Sequence, residues 1–423
     1  MVQAGATQGA AAFTPVILGV DAAAYGLARS FAEGFGAQST VLAPRILPIC
    51  ENSSIVRAVA VPELDQAAHF ADALRAAAGS LSADAPRLLV PTERRFARLL
   101  AQQADRLADA FRFTVAPSAL VERLSTLSGF AAVCDEHGLP HPAFFTVGGP
   151  DDTVGCPYPF PVVLRPDDPD AYAPLAFTGK KNRYHIRNRA ELNHALSMVY
   201  GAGYAGRMAV CCDVPGDDDA LCRLTCYCAS DNTVRLVAQA DAVLEEGAPW
   251  TLGRFGAAIA GDDRELADRV EAFLSRIGYK GYASLSLKYD AVQDCWLFLD
   301  FNPAVDETGY LATAAGQNLA GFAVRDAVGL PAGDAAAAAP GTCAHLEGDA
   351  VLFSRVPDST IRQYAGSQAS WPRTQRLLQQ KKVVGLFLPA YDKGFARWKA
   401  YRSDQHFYRR EFADCYGRDH VND

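Results

Sequence analysis

The chain has 423 residues, of which half are hydrophobic and 21% are charged, and its formal net charge is −8. This length is sufficient for two or three domains with cores of their own. The acidic balance argues against nucleic-acid binding, which usually needs a basic face, and no apolar run approaches the length of a membrane span. Eleven cysteines without a recognisable export signal indicate free thiols, so a cytoplasmic location is predicted.

The N-terminal part is predicted to be a parallel α/β domain. Residues 1–12 are uncharged and rich in Ala, Gly and Gln, which predicts a disordered tail. Strand-like and helical stretches then alternate to about residue 117, beginning with strand 13–19 and helix 22–35. Ligands of such sheets bind beyond the carboxyl ends of the strands, so Asp21, Tyr25, Arg29 and the 91–93 turn lie at a predicted binding edge. Asp21 is equally suited to capping the helix that follows it.

Residues 118–330 have a mixed α+β pattern with two candidate phosphate-binding features. The strand 160–166 ends in Arg165. The loop Gly179-Lys180-Lys181-Asn182-Arg183 is short, basic and led by glycine. Such a loop covers phosphates in some proteins with backbone N–H groups and ammonium charge. A solvated hairpin turn explains the same residues equally well.

The stretch 282–310 is predicted to form a β-hairpin. Leu285, Leu287 and Tyr289 alternate with polar residues, and a second apolar run ends in Asp300-Phe301-Asn302. Asp300 and Asn302 are two residues apart on a strand, so they share one face of the sheet. Oxygen ligands held in this way suit Mg²⁺. Turn chemistry is the commoner explanation of an Asp-x-Asn at a strand end.

The remaining features favour structural interpretations. Cys222, Cys226 and Cys228 share one face of a strand, but they lack the CxxC spacing of zinc sites and are interpreted as buried small hydrophobes. Residues 331–341 are a low-complexity linker. The extension beyond it ends in an aromatic and basic helix over 393–416, which is predicted to dock on the domain.

The order and spacing of several short motifs resemble the ATP-grasp carboxylate–amine ligases, and among them the D-aspartate ligases that form peptidoglycan cross-bridges. The resemblance extends from about Thr14 to the terminal helix. Its motifs are ILGVDAAAYGLARSF at 17–31, GLPHP at 138–142, FPVVLRP at 160–166, GKK at 179–181, PGDD at 215–218, LKYD at 287–290, DFNP at 300–303, GQNLAGF at 316–322 and FARW at 395–398.

This resemblance implies a fold, two cofactors and a set of roles. The implied fold is ATP-grasp, with a Rossmann-like pre-ATP-grasp domain at 13–117, lobes at 118–207 and 208–330, and a C-terminal extension at 342–423. ATP and Mg²⁺ are the implied cofactors, and an amino acid and a peptide-like amine are the implied substrates, with a second copy or an active paralogue as protein partner. The implied ligand contacts are Arg165, Lys180 and Lys181 on phosphates, Cys211 and Val214 on adenine, Asp218 on ribose, Asp300 and Asn302 on the metal, and Asp21, Tyr25 and Arg29 on substrates.

Several residues depart from the family pattern, and they leave a second hypothesis open. Losing one charge-stabilising group commonly costs several kcal/mol of barrier, so a pseudoenzyme that acts as a binding or regulatory partner is the alternative to a ligase. An open, charged nucleotide cleft would favour the ligase. A dinucleotide-dependent oxidoreductase is disfavoured because no GxGxxG follows the first strand. The departures are Leu127 and Arg165 in place of lysines, Cys211-Cys212 in place of Gln-Glu or Gln-Asp, Ser286 in place of a carboxylate, Asp300 in place of glutamate, and Ala304 within a segment that lacks the expected arginine.

Overall fold

A computed structural model describes residues 12–81, 85–149, 152, 156–331 and 342–416. The predicted N-terminal tail, apart from Ala12, lies outside these residues. So does the predicted linker, apart from Pro331. Among the described residues no helix is long and apolar enough to cross a bilayer.

The N-terminal part forms a four-stranded, fully parallel sheet, which confirms the predicted α/β pattern. Its strand order is β3-β2-β1-β4. Two short helices, separated at Gln103, follow the fourth strand. The elements are β1 Thr14–Leu18, α1 Ala22–Phe35, β2 Ser39–Ala43, β3 Val56–Ala60, α2 Phe70–Ala78, β4 Arg87–Pro91, α3 Arg94–Gln102 and α4 Ala104–Leu107.

Helix α1 begins and ends at the residues that its sequence predicts, because a capping residue precedes its first turn and a glycine follows its last turn. Oδ1 of Asp21 accepts hydrogen bonds from the backbone N–H groups of Ala23 and Ala24, at 3.1 and 3.3 Å. These bonds satisfy two of the N–H groups left unpaired at a helix start. Gly36 ends the helix with a φ of 61°, in the left-handed region that glycine adopts without steric penalty.

The second sheet has four antiparallel strands in the order β5-β8-β6-β7. Its strands are β5 Phe144–Val147, β6 Val162–Pro166, β7 Tyr184–Ile186 and β8 Met208–Cys212, and its helices are α5 Ser118–Leu124, α6 Leu127–His137, α7 Pro169–Tyr172 and α8 Arg189–Gly201. Strand β8 pairs with β5 and β6, so the lobe boundary predicted between residues 207 and 208 falls one strand too early. Backbone pairing decides this boundary, and the local sequence carries no signal for it.

The third sheet has seven strands in the order β13-β12-β9-β10-β11-β14-β15. The predicted hairpin is confirmed, since β12 and β13 pair antiparallel with Ser286 opposite Asp300 and Ser284 opposite Asn302. The C-terminal extension contributes the last two strands of the order. The elements are β9 Leu221–Cys228, β10 Val234–Glu245, β11 Phe255–Gly261, α9 Arg264–Arg276, β12 Gly281–Asp290, β13 Cys295–Asn302, α10 Tyr310–Ala314, α11 Leu319–Ala323, β14 Leu352–Ser354, α12 Asp358–Tyr364, α13 Trp371–Gln379, β15 Val383–Gly385 and α14 Phe395–Cys415.

The two faces of the seven-stranded sheet have different environments. One face is covered by α9 and carries Leu285, Leu287 and the cysteines of β9 in a single apolar core. Cys222, Cys226 and Cys228 are fully buried there, and burial raises the pKa of each thiol well above its usual value. They are therefore protonated, apolar side chains, in agreement with their interpretation as core residues. The opposite face carries Ser284 and Ser286 and faces a cleft.

Candidate active site

Two adjoining cavities form one cleft between the four-stranded antiparallel sheet and the seven-stranded sheet. Their volumes are about 350 and 400 Å³. They share six lining residues, so they are continuous: Arg165, Arg183, Leu221, Glu245, Leu252 and Leu299. A cleft of this size accommodates a small-molecule ligand.

The first cavity is an apolar slot with a polar rim. Leu127, Val163 and Cys211 line the slot together with Val214, and residues 213–218 line its rim. Burial raises the pKa of the Cys211 thiol to about 11, so this side chain is neutral at physiological pH. Cys211 and Val214, the two predicted adenine contacts, therefore lie in one wall of a slot that suits a flat, uncharged ring.

Asp218 lies in the rim of the first cavity and is held from two directions. Its Oδ2 accepts a hydrogen bond from the backbone N–H of Glu245 and another from the Tyr416 hydroxyl, each at 2.8 Å. Only 3% of Asp218 is exposed. Asp218, the predicted ribose contact, is thus fixed in position by β10 of the seven-stranded sheet and by Tyr416, which follows α14.

Basic side chains lie where the two cavities meet. Arg165 donates to the carbonyl of Leu299 at 3.3 Å, and Arg183 pairs with Glu245 at 2.5 Å. Lys288 lines the first cavity, and burial lowers the pKa of its ammonium. Of these three cations only Arg165 was predicted as a site residue, although Arg183 and Lys288 fall within motifs that the sequence singles out.

Asp300 and Asn302 both line the second cavity, as their spacing on β13 requires. Arg94 pairs with Asp300 at 3.0 Å, and Arg165 approaches its other oxygen at 3.5 Å. Burial alone would raise the pKa of Asp300, but these guanidinium groups hold it below its usual value, so the carboxylate is ionised. Oδ1 of Asn302 is buried and has no hydrogen-bond partner among the described residues. A buried acceptor without a hydrogen-bond partner destabilises the fold. This acceptor lies two residues from the ionised carboxylate of Asp300, so both oxygens are available to a cation.

A buried acidic pair forms another wall of the second cavity. Arg223 contacts Asp306 at 3.1 Å and Glu307 at 2.8 Å. Both acids line the cavity. Asp290, at the end of β12, accepts a hydrogen bond from the N–H of Val292 in the hairpin turn and does not line either cavity.

Arg94 and Arg254 are cavity residues that sequence reasoning missed. Arg94 is the first residue of α3 and donates to the carbonyl of Ser125 at 2.9 Å while it pairs with Asp300. Arg254 is exposed in the second cavity and lies close enough to Glu307 to affect its ionisation. One signal was available for Arg94, since it directly follows the 91–93 turn predicted at the binding edge of the first sheet. Arg254 carried no signal, because it precedes a strand that was not predicted.

The two lysines of the glycine-led loop do not line either cavity. The Lys180 ammonium donates to the carbonyls of Ala173 and Leu175, each at 2.7 Å. The backbone N–H of Lys181 donates to the Tyr184 hydroxyl at 3.1 Å. In this conformation the loop packs on the four-stranded antiparallel sheet. The predicted contacts of its lysines with phosphates stay a prediction.

The structure also separates two of the predicted substrate contacts from the cleft. Tyr25 is fully buried and donates to Asp392. Arg29 pairs with Glu33 at 2.9 Å and donates to two carbonyls of the C-terminal extension. Asp21 is nearer to the cleft, because the charges of Arg254 and Glu307 affect its ionisation, and burial raises the pKa of its carboxyl group.

Helix α14 supports one edge of the cleft. Glu411 accepts hydrogen bonds from the backbone N–H of Ala248 at 2.9 Å and from the Thr251 hydroxyl at 3.2 Å. These bonds fix the loop that carries Arg254 into the second cavity. The predicted docking of the terminal helix is confirmed, and the helix contacts the loop next to the cleft.

Comparison with solved structures identifies the fold as ATP-grasp, as the sequence resemblance implied. The L-amino acid ligase of Bacillus licheniformis matches with a TM-score of 0.54 and 13% identity, over 75% of this chain and 74% of that chain. An ADP complex of N5-carboxyaminoimidazole synthetase from Staphylococcus aureus matches with a TM-score of 0.56 and 12% identity, over 79% and 80% of the two chains.

Sequence comparison gives a nearer relative. The D-aspartate ligase of Enterococcus faecium (strain Aus0004) is 27% identical over 395 residues, which span 91% of this chain and 92% of that protein. No family model matches the chain. The resemblance to carboxylate–amine ligases is therefore confirmed along nearly the whole chain.

Proposed function

We propose that the chain is an ATP-dependent carboxylate–amine ligase that joins an amino acid such as D-aspartate to an amine of a peptide or peptidoglycan precursor. The observation that carries the proposal is the continuous cleft, in which an apolar slot opens onto cations and an ionised carboxylate. The near-full-length similarity to a D-aspartate ligase supports the same activity. An enzyme that consumes ATP in this way is expected to act in the cytoplasm.

ATP is proposed to bind with its base in the first cavity and its phosphates at the junction of the two cavities. The adenine ring would lie between Leu127 and the Cys211–Val214 wall, and Asp218 would bind the ribose. The phosphates would then meet Arg165 and Arg183, which both line the junction. Arginine retains its charge at all physiological pH values and offers several N–H donors to phosphate oxygens.

The second cavity is suited to one magnesium ion. Asn302 offers a buried Oδ1 without a protein partner, and Asp300 is an ionised carboxylate on the same strand face. Mg²⁺ is commonly bound by one or two protein oxygens together with substrate phosphates. When bound there, the ion would neutralise phosphate charge. Asp300 would first have to give up part of its pairing with Arg94 or Arg165.

The proposed reaction needs positioning and charge stabilisation from the protein. A carboxylate oxygen of the donor amino acid attacks the γ-phosphorus of ATP, which releases ADP and forms an acyl phosphate. The neutral amine of the acceptor then attacks the acyl carbon, and phosphate leaves as the amide bond forms and the amine loses a proton. Negative charge accumulates on the transferring phosphoryl group, and fixed cations aimed at it lower the barrier. Arg94 and Arg254 line the second cavity in positions to supply the charge that the segment 303–307 lacks.

The charge and volume of the cleft favour the ligase over the pseudoenzyme. A degenerate site would be filled or uncharged, whereas this cleft encloses two cavities and is lined by several basic residues. Under this proposal, Arg94 and Arg254, which line the second cavity, would compensate in part for the altered positions. The paralogue or second copy predicted as a partner stays a prediction.

Nucleotide binding followed by turnover tests the proposal. Thermal unfolding of the full chain is measured with ATP, with and without Mg²⁺, and ligand at about a hundredfold over its Kd should stabilise the native state by near 3 kcal/mol. D-Aspartate, L-aspartate and other amino acids are then screened for ADP release with hydroxylamine as the amine, which traps an acyl phosphate as a hydroxamate. No stabilisation at millimolar ATP, or ATP binding without hydroxamate for any amino acid, would favour the pseudoenzyme.

A further inference from the structure

A second group of ligand-type side chains lies outside the cleft, on the face of the seven-stranded sheet that α9 covers. It consists of Glu271, Cys343 and His345. One ligand atom from each residue lies within 4.8 Å of the other two. All three side chains are half-buried, and none takes part in the proposed ligase reaction.

Backbone pairing explains why these side chains converge. Ala344 forms a bridge with β10, because its N–H donates to the carbonyl of Arg235 at 2.9 Å and its carbonyl accepts from the N–H of Val237 at 3.0 Å. Ala344 is buried, with 4% of its surface exposed. In extended chain the residues on either side of an inward-facing residue point the other way, so Cys343 and His345 share one side. Helix α9 packs against β10 and brings Glu271 to the same place.

The imidazole of His345 provides an independent indication of a ligand. Its Nδ1 is buried and has no hydrogen-bond partner among the described residues. Burial lowers the pKa of His345, as does the charge of Arg264, while Glu271 and Asp268 oppose the shift. A buried imidazole nitrogen without a partner among the described residues is available to a metal ion.

We propose that Glu271, Cys343 and His345 bind a transition-metal cation of the Zn²⁺ type. Thiolate, imidazole and carboxylate are the three side-chain ligands of protein zinc sites. The hard cations Mg²⁺ and Ca²⁺ prefer oxygen ligands throughout, so they are poorly suited to this set. Three protein ligands leave a fourth position for water.

Metal binding would deprotonate the Cys343 thiol and link the segment that begins at residue 342 to helix α9. Without metal the Cys343 thiol is protonated, because burial and the neighbouring Glu271 carboxylate raise its pKa. On binding, the thiol proton is released to solvent and the sulfur binds as thiolate. The ion would then fasten the segment beginning at residue 342 to α9, on the opposite side of the sheet from the ATP cleft.

The test uses the full chain, stripped of metal with a chelator and titrated with Zn²⁺ alone in competition with a chromophoric chelator. One equivalent is expected to bind to the wild type. Cys343→Ser and His345→Gln are each expected to weaken binding by more than about tenfold, since even partners that only orient ligands contribute about 10–100-fold. Cys295→Ser, which removes another half-buried thiol, is the matched control and should bind as the wild type does.

Substitution with Co²⁺ gives a second, spectroscopic readout. Thiolate coordination predicts a charge-transfer absorption in the wild type and in Cys295→Ser that is lost in Cys343→Ser. Thermal unfolding of the metal-free proteins checks that each variant is folded, and Glu271→Gln replaces any variant that is not. Zn²⁺ binding that is equally tight in Cys343→Ser, or the absence of a one-to-one complex in the wild type, would overturn the proposal. None of these measurements depends on ligase activity.

Discussion

Arg94 is expected to compete with Mg²⁺ for Asp300. The guanidinium group contacts the carboxylate at 3.0 Å, and a Mg²⁺ ion bound to the same carboxylate at about 2.1 Å would lie roughly 5 Å from that positive charge. A divalent and a monovalent cation at this separation repel by about 1.7 kcal/mol in the dielectric of bulk water, and by about 7 kcal/mol at an effective dielectric constant of about 20. The bulk-water value is the smallest repulsion expected, so it sets the lower bound on the effect. Replacing Arg94 by methionine should therefore strengthen Mg²⁺ binding by at least roughly 15-fold.

Calorimetric titration of ATP at several Mg²⁺ concentrations measures this effect. Arg94→Met should lower the Mg²⁺ concentration that gives half-maximal ATP binding, and it should weaken ATP binding in the absence of Mg²⁺, because a cation of the second cavity is lost. Arg106→Met removes the same charge from an exposed pair with Asp72, outside both cavities, and serves as the control. A half-maximal Mg²⁺ concentration unchanged within about twofold in Arg94→Met would refute the competition between Arg94 and the metal.

Three further substitutions test the metal ligand, the interface with the extension and the pH dependence. Asp300→Asn should abolish any dependence of ATP-induced thermal stabilisation on Mg²⁺, and a persisting dependence would refute the metal role. Arg397→Ala should cost about 3–5 kcal/mol in urea unfolding, because it leaves the carboxylate of Asp392 buried without its partner; exposed Lys399→Ala should change stability by less than about 0.5 kcal/mol. Burial raises the pKa of Asp404 to about 6, so its ionisation destabilises the fold as pH rises from about 4 to 6. Asp404→Asn should thus stabilise the protein at pH 7 by on the order of 2 kcal/mol and have no effect below pH 4, and equal effects at both pH values would contradict this assignment.

Elements whose signals are local were predicted from the sequence. Helix α1 carries a capping residue and a terminating glycine, and the hairpin of β12 and β13 carries clear alternation. Strand β11 was missed because its sequence, FGAAIAG, is made of small and apolar residues without alternation or β-branched enrichment. Arg254 immediately precedes this strand, so the missed strand also concealed a cavity residue.

Contacts between distant parts of the chain could not be predicted. Arg94 and Asp300 are 206 positions apart, and nothing in either local sequence indicates that a helix of the first domain reaches the hairpin. The same applies to Tyr25, whose partner Asp392 is 367 positions away. Helical spacing predicts that Tyr25 lies on the apolar face of α1. The C-terminal extension covers that side chain, and the local sequence around Tyr25 does not indicate this contact. Asp300 and Asn302 could be placed on one face of the hairpin because their spacing on a single strand is a local signal.

The dependence of the cleft on α14 has a consequence for how the protein matures during synthesis. Tyr416 holds the carboxylate proposed to bind ribose, and Glu411 fixes the loop that carries Arg254. Both residues follow the last strand of the three sheets along the chain, so every strand is synthesised before the residues that complete the nucleotide site. A chain truncated before α14 is therefore expected to bind ATP more weakly than the full chain.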